Sequence, residues 1–224
     1  MDLQYGNQQL ENNPPCGQLA SVRSRPSNKP LPTCRGVTKS DPTQDFADLQ
    51  VQLGPYAFSF DENGVIPHDK PAISAAVNIA YPKTRGTVGL RSNDPMASPV
   101  ITHNLFENEE DLVKLIEGCR SVRRILSGPA FAPHRTAELL PGEDVQSDEE
   151  WAAFLRKTAF LGYHVVGTCR MGSDAASVVT PDLKVRGVEG LRVADASIMP
   201  DLISGNTNAT ALMIGEKAAD LIAS

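Results

Sequence analysis

Between residues 73 and 81 the apolar side chains fall at every second position, Ile73, Ala75, Val77, Ile79 and Tyr81, which is the spacing of a strand with one buried face. The turn-forming run Pro82-Lys83-Thr84-Arg85-Gly86 follows, and Thr87-Val88-Gly89-Leu90-Arg91 alternates again, so the pattern predicts a hairpin or two adjacent strands. The period then changes. Leu112, Leu115, Ile116, Cys119, Val122, Ile125 and Leu126 recur at steps of three and four, the signature of an amphipathic helix. Asn108 is placed to cap it, Glu109, Glu110 and Asp111 complement the dipole of its first turn, and Gly128-Pro129 stops it.

Ser147 followed three residues later by Glu150 has the spacing of a capping box and predicts a second helix through Trp151, Phe154 and Leu155. Leu183-Lys184-Val185 and Leu191-Arg192-Val193 read as short strands about the turn 186–190, and Thr210 to Ile222 reads as a terminal helix. Arg120, Arg123 and Arg124 suit the C-terminal end of the first helix, where a solvated basic face is the plain reading. Residues 1–42 carry Pro14, Pro15, Pro26, Pro30 and Pro32 and show neither period, which predicts a disordered or unrelated stretch.

Composition narrows the function classes. An apolar fraction of 41% with 21% charged residues is that of a globular protein. The net charge of -6 argues against nucleic acid or an anionic membrane as partner, since binding to phosphates calls for a basic face. No apolar run approaches a membrane span and the start lacks the order of a secretory signal, so the expectation is a cytoplasmic protein. Cys16, Cys34, Cys119 and Cys169 have no C-x-x-C spacing, which supports neither a disulfide framework nor a metal site.

The candidate chemistry lies near the C-terminus. His164 precedes Gly167 and Gly172 in a segment where the backbone can approach a flat ligand closely. Asn206 and Asn208 fall between a strand ending near Asp195 and a helix starting near Thr210, a junction at which free N–H groups can meet an anionic or carbonyl oxygen. Outside this region His68, His103 and His134 have the plain reading of surface or core residues, and Cys169 that of a packing residue. Arg170 can reach a ligand carboxylate or pair on the surface, and the sequence leaves both open.

Three blocks in order resemble the C-terminal signature of the glucose-methanol-choline (GMC) oxidoreductases, FAD enzymes that oxidise alcohols. They are His164-x-x-Gly167-Thr168-Cys169-Arg170-Met171-Gly172, then Leu191 to Pro200, then Gly205-Asn206-Thr207-Asn208-Ala209-Thr210 with Ile214-Gly215-Glu216-Lys217. Upstream, the stretch from Pro82 to Pro95 is similar to the family's Ser-Arg-Gly-x-Val segment. The resemblance implies an α+β fold: a mostly antiparallel sheet with flanking helices that binds substrate, over 43–182, and a C-terminal strand-helix segment, 183–224, that completes an FAD domain otherwise absent.

It also implies roles. His164 and, 44 positions later (208 minus 164), Asn208 match the pair that faces the reactive edge of the flavin, with Asn in second place as in the choline-dehydrogenase-like branch. His164 would accept the hydroxyl proton while hydride leaves for flavin N5, and Asn208 would hydrogen-bond the developing alkoxide; an imidazole that titrates near neutral pH suits the first task. Asp195 and Ala196 match the pair that reaches the ribityl and pyrophosphate of FAD. Asn208, Ala209 and Thr210 match the turn beside the pyrimidine end of the ring.

The family's Gly-x-Gly-x-x-Gly turn has no counterpart, since no two of the 17 glycines are separated by a single residue. The expectation is therefore the C-terminal portion of an FAD-dependent alcohol dehydrogenase or oxidase acting on a small-molecule alcohol. Leu191, Val193, Leu212, Met213 and Leu221 would then leave apolar surface uncovered, and a missing FAD-domain half or a separate chain would be the partner. The alternative is a non-catalytic binding or assembly module that docks onto a separate FAD-binding chain.

Overall fold

In a computed structural model of the 224-residue chain, residues 17–22, 34–54, 58–61, 64–68 and 72–223 are described. They build an α+β protein of antiparallel sheets and three α-helices, divided into two compact units. The first unit comprises residues 1–79 and 105–160 and the second residues 80–104 and 161–224.

The first unit is organised by a five-stranded sheet. Its strands are β1 (Gly17–Val22), β2 (Cys34–Thr38), β3 (Leu49–Gly54), β6 (Ala72–Ile79) and β9 (Arg135–Leu140), in the order β2-β3-β6-β1-β9. All pairings are antiparallel, with Leu49 opposite Ile79 in the β3–β6 register and Gly17 opposite Ala76 between β1 and β6. Strands β4 (Phe58–Asp61) and β5 (Gly64–Pro67) pair with each other.

The period-two reading of 73–81 holds as far as Ile79: Ala75 and Val77 are buried and Ile73 and Ile79 pack against the same core, whereas Tyr81 lies beyond β6, 41% exposed and with a φ of 58°. Helix α1 (Glu109–Leu126) lies on this face through Leu112, Leu115, Ile116, Cys119 and Val122. Gly118 makes the close approach possible, because a Cβ there would stand 2.6 Å from Val77 Cγ1. Asn108 caps α1 by accepting the Glu110 N–H, as its position predicts. Helix α2 (Asp148–Thr158) opens with the predicted capping box, Ser147 and Glu150 each accepting the other's backbone N–H. It buries Trp151 and Leu155 in the same core.

Three expectations are corrected here. β1 and β2 fall inside the stretch 1–42 for which the pattern predicts no element; backbone pairing to β6, β9 and β3 orders them, which no local period records. The remainder of that stretch, apart from Lys39 to Asp41 and Pro42, lies outside the described residues. The predicted hairpin does not form. β6 pairs with β3 and β1, whereas β7 (Thr87–Gly89) pairs with β8 (Val100–Thr102) in the second unit. Nor is Arg123 a solvated charge: its guanidinium donates to both oxygens of Glu138 at 2.9 and 2.6 Å and stands 4.4 Å from the centre of the Trp151 ring.

The turn from β2 to β3 closes on a buried carboxylate. Asp48 accepts from the Ser40 N–H at 2.7 Å, the Ser40 hydroxyl at 2.6 Å and the Gln44 amide at 3.1 Å, and Lys114 Nζ lies 3.5 Å away. Burial pushes this carboxyl up, but the Ser40, Gln44 and Lys114 interactions outweigh it and hold it below the ordinary carboxylate range.

In the second unit short bridges and loops replace long strands. Val179 is its pivot, fully buried and bridged to both Met171 and Val185. The two strands predicted at 183–185 and 191–193 contract to a bridge between Lys184 and Arg192, flanked by the bonds Val185 N–H to Leu191 O and Val193 N–H to Leu183 O. Helix α3 (Asn208–Ala223) starts two residues before the predicted Thr210 and buries Ile214 and Ala218 against Val179, Leu183, Ile198 and Met199. Its C-terminal end meets Arg192, whose guanidinium donates to the Leu221 carbonyl at 3.2 Å.

Candidate active site

All the motif residues lie in the second unit, and the backbone ties them together. The Cys169 N–H donates to the Ser197 carbonyl at 2.9 Å and the Met171 N–H to the Ile198 carbonyl at 2.8 Å, so the His-containing segment is laced onto the Asp-Ala-Ser segment. Gly167 makes the bend between His164 and this lacing. Its φ of 90° is left-handed, a conformation that side chains oppose.

Asp195 caps the single 3-10 turn of Ala196–Ile198, its Oδ1 accepting the Ser197 N–H at 2.7 Å. Its side chain is exposed. Ala196 is half-buried against the core of the unit.

His164, half-buried, is held on both sides of its ring. Nδ1 lies 2.9 Å from the Thr207 hydroxyl and Nε2 lies 2.6 Å from the Asn206 amide nitrogen. Both partners come from the two residues immediately before α3. Asn208 is elsewhere: it is the exposed first residue of that helix, and among the described residues no hydrogen bond joins it to His164. Ala209 is exposed beside it, and Thr210 is half-buried. Asn206 had a sequence signal as part of the polar cluster before the helix. Thr207 had none, because nothing in one dimension distinguishes a ring-bound hydroxyl from a turn residue.

Arg170, left open by the sequence, is engaged within the chain. Its guanidinium grips Asp174 through two bonds of 2.9 and 2.8 Å, and the pairing holds the Asp174 carboxyl well below the usual carboxylate range. Arg186 braces the neighbouring loop by donating to the Gly172 carbonyl at 2.9 Å and the Ser177 hydroxyl at 3.0 Å. These contacts fix the backbone that follows His164.

The start of α3 suits a group that carries negative charge. No acid occupies its first turn, the exposed side chains there are a neutral amide and a methyl group, and the first N–H groups of a helix favour negative charge. Among the described residues no helix is long and apolar enough to cross a membrane.

A family model described as GMC oxidoreductase matches residues 82–215, more than half of the chain. The chain is 43% identical over 195 residues to an alcohol dehydrogenase [acceptor] of Pseudomonas putida, covering 84% of this chain and 34% of the relative. It is 45% identical over 186 residues to an oxygen-dependent choline dehydrogenase of Rhizobium rhizogenes, covering 82% of this chain and 34% of that one. The chain therefore spans about a third of the length of these curated relatives. Among solved structures, pyridoxine 4-oxidase from Mesorbium loti is similar with a TM-score of 0.79 and 27% identity, over 94% of this chain and 42% of that one. A formate oxidase of Aspergillus oryzae is similar with a TM-score of 0.70 and 28% identity, over 80% of this chain and 32% of that one. A histidine laced to an Asp-Ala-Ser turn and to the start of a helix, in a chain that matches these oxidoreductases along most of its length, identifies the protein as a member of the GMC oxidoreductase family.

Proposed function

We propose that this chain forms the C-terminal part of an FAD-dependent oxidoreductase that acts on the CH–OH group of a small-molecule alcohol. The observation that carries the reading is the imidazole of His164 held against the segment that opens α3, in a member of a family whose curated relatives include alcohol and choline dehydrogenases. When bound, FAD supplies the acceptor for the hydride that leaves the carbinol carbon.

The chain's own residues manage the proton and the position of the alcohol. His164 takes the hydroxyl proton at a ring nitrogen, which raises electron density on the oxygen and weakens the adjacent C–H bond. The Asn208 amide donates to the alkoxide as it forms. The first turn of α3, with Ala209 and Thr210, would hold the pyrimidine end of the cofactor, and Asp195 with Ala196 would hold its ribityl and pyrophosphate portion. Uncovered apolar surface supports a protein with a further FAD-binding part, because Leu191, Leu212 and Met213 are 49%, 65% and 57% exposed. Val193 and Leu221, by contrast, pack against the core of the second unit.

Titration of the purified chain with FAD, followed by quenching of flavin fluorescence, tests the cofactor surface. Saturable binding weakened by Asp195→Ala and Asn208→Ala is the expected result. Binding that neither substitution alters would overturn these assignments, and no binding at high micromolar FAD would favour the docking-module reading over a self-sufficient cofactor surface.

A further inference from the structure

Between the buried Met199 and the buried Thr207 the chain runs through residues 200–206, most of them exposed. Among the described residues no backbone–backbone hydrogen bond involves this loop, and a Cβ built on Gly205 would meet open space. Such a segment belongs to the low-stability end of a structure unless something outside it fixes it. Its far end matters for the site. Thr207, the next residue, meets Nδ1 of His164 through its hydroxyl at 2.9 Å and turns its backbone N–H toward the same nitrogen at 3.5 Å.

Arg85, 116 positions before Asp201, supplies the outside support: its Nη2 donates to Asp201 Oδ1 at 2.6 Å. The arginine is itself held by its own turn. Nη1 donates to the Pro82 and Thr84 carbonyls at 2.7 and 3.1 Å, and the Arg85 carbonyl accepts from the Asn104 amide at 3.1 Å. Gly86 beside it packs so closely that a Cβ there would collide with the Thr102 carbonyl. The guanidinium is thus fixed before it meets the carboxylate, so less side-chain freedom is lost on pairing. Asp201 also feels the charge of Arg170, but that guanidinium is committed to Asp174 through two hydrogen bonds.

We infer that Arg85 and Asp201 are positioning residues: their ion pair tethers the loop 200–206 and so holds Thr207 against the His164 ring. With Asp201 fixed, only residues 202–206 are left to set the direction in which the chain enters α3, and a shorter free span has fewer ways to carry Thr207 elsewhere. Side chains 62% and 74% exposed make a weak, screened pair, which suits a tether that biases a loop rather than one that holds the fold together. The functional meaning of the pair rests on the proposed role of His164 toward the alcohol, whereas the tether is measurable without cofactor or turnover.

The test is NMR of the isotope-labelled full chain, reading the backbone order parameters of residues 202–206 and the carbon-bound ring signals of His164, which His164→Gln assigns. Asp201→Asn, equal in shape and without charge, and Arg85→Ala should each lower the order parameters from about 0.85 toward about 0.6 and shift the His164 signals. Arg85→Lys, which keeps the charge, should stay nearer the wild type. The double variant should be no more mobile than either single one, because both remove the same interaction. Salt raised from about 0.01 to about 1 M should move the wild type toward the variants, as the Debye length falls from about 30 to about 3 Å. Order parameters indifferent to both substitutions and to salt overturn the tether, and a loosened loop with an unmoved His164 ring overturns the positioning of Thr207. The salt series on the wild type decides the tether even if a variant does not fold. A chain that binds no FAD yet loses its loop order in Asp201→Asn would count against the proposed enzyme function and leave the tether standing.

Discussion

Helices α1 and α3 are of similar length and opposite in how they use it. α1 is amphipathic: Leu112, Leu115, Ile116, Cys119, Val122 and Leu126 are buried, and the outer face is mostly charged, although Val113 and Ile125, the latter expected on the apolar face, are exposed on it. α3 carries apolar residues around its circumference, yet it buries Ile214 and Ala218 and leaves Leu212, Met213 and Ile222 exposed. The first helix is completed by its own unit. The second, whose first turn adjoins the His164 site, carries Glu216, Lys217 and Asp220 on one side and still leaves Leu212, Met213 and Ile222 outside the core of its own unit. Within this chain the region that builds a closed core and the region that carries the chemistry are thus different regions, and substitutions should affect them separately.

The largest separation is expected at the site. His164→Ala should lower turnover of the FAD-loaded enzyme by about 10²- to 10⁴-fold, the range for loss of a positioned acid–base group. Its thermal unfolding should stay close to that of the wild type, because a half-buried ring at the site is not part of the first unit's core. A large fall in melting temperature with turnover retained would break the comparison.

Next comes the contrast between two leucines. Leu155→Ala empties a fully buried position beside Trp151 and should cost about 2–5 kcal/mol in denaturant unfolding. Leu212→Ala, at a position 65% exposed, should change stability by no more than about 0.5 kcal/mol and reduce self-association. Equal costs at the two positions would mean that α3 is already enclosed. Smaller again is Ser147→Ala, which removes one half of the capping box of α2 and should cost about 1 kcal/mol in the same measurement.

Acid should weaken the first unit through Asp48. Its folded carboxyl titrates below its unfolded value, so its contribution is fully present above the ordinary carboxylate pKa of about 4 and is lost as pH falls through the lower folded value. Asp48→Asn should flatten that part of the stability–pH profile, read by thermal melts between about pH 5 and 2. A profile as steep as that of the wild type would assign the acid sensitivity to other carboxylates.

What could be read in one dimension was local. The caps at Asn108 and Ser147, the helical period of α1 and the strand period of β6 each depend on residues within a few positions of one another, and each is where the pattern puts it. The failures were non-local. β1 and β2 exist because they pair with β6, β9 and β3, and their own residues give little sign of it. The stretch Pro82–Gly86 reads as a reversal because a proline-glycine run has the same composition whether it closes a hairpin or, as here, leads on to β7 and its pairing with β8. At the site, the family resemblance pairs His164 with Asn208, and the fold adds what it did not give, that Asn206 and Thr207 meet the imidazole ring. Only the path of the chain into α3 decides which side chains touch the imidazole.

The central claim is that His164 takes the proton of an alcohol as the flavin is reduced. Its most direct test is anaerobic flavin reduction, followed by loss of visible absorbance when FAD-loaded protein is mixed with a panel of primary alcohols including choline. The account predicts bleaching by at least one alcohol in the wild type and a rate at least about a hundredfold lower in His164→Ala. Flavin bleached at the same rate with and without the imidazole would contradict it.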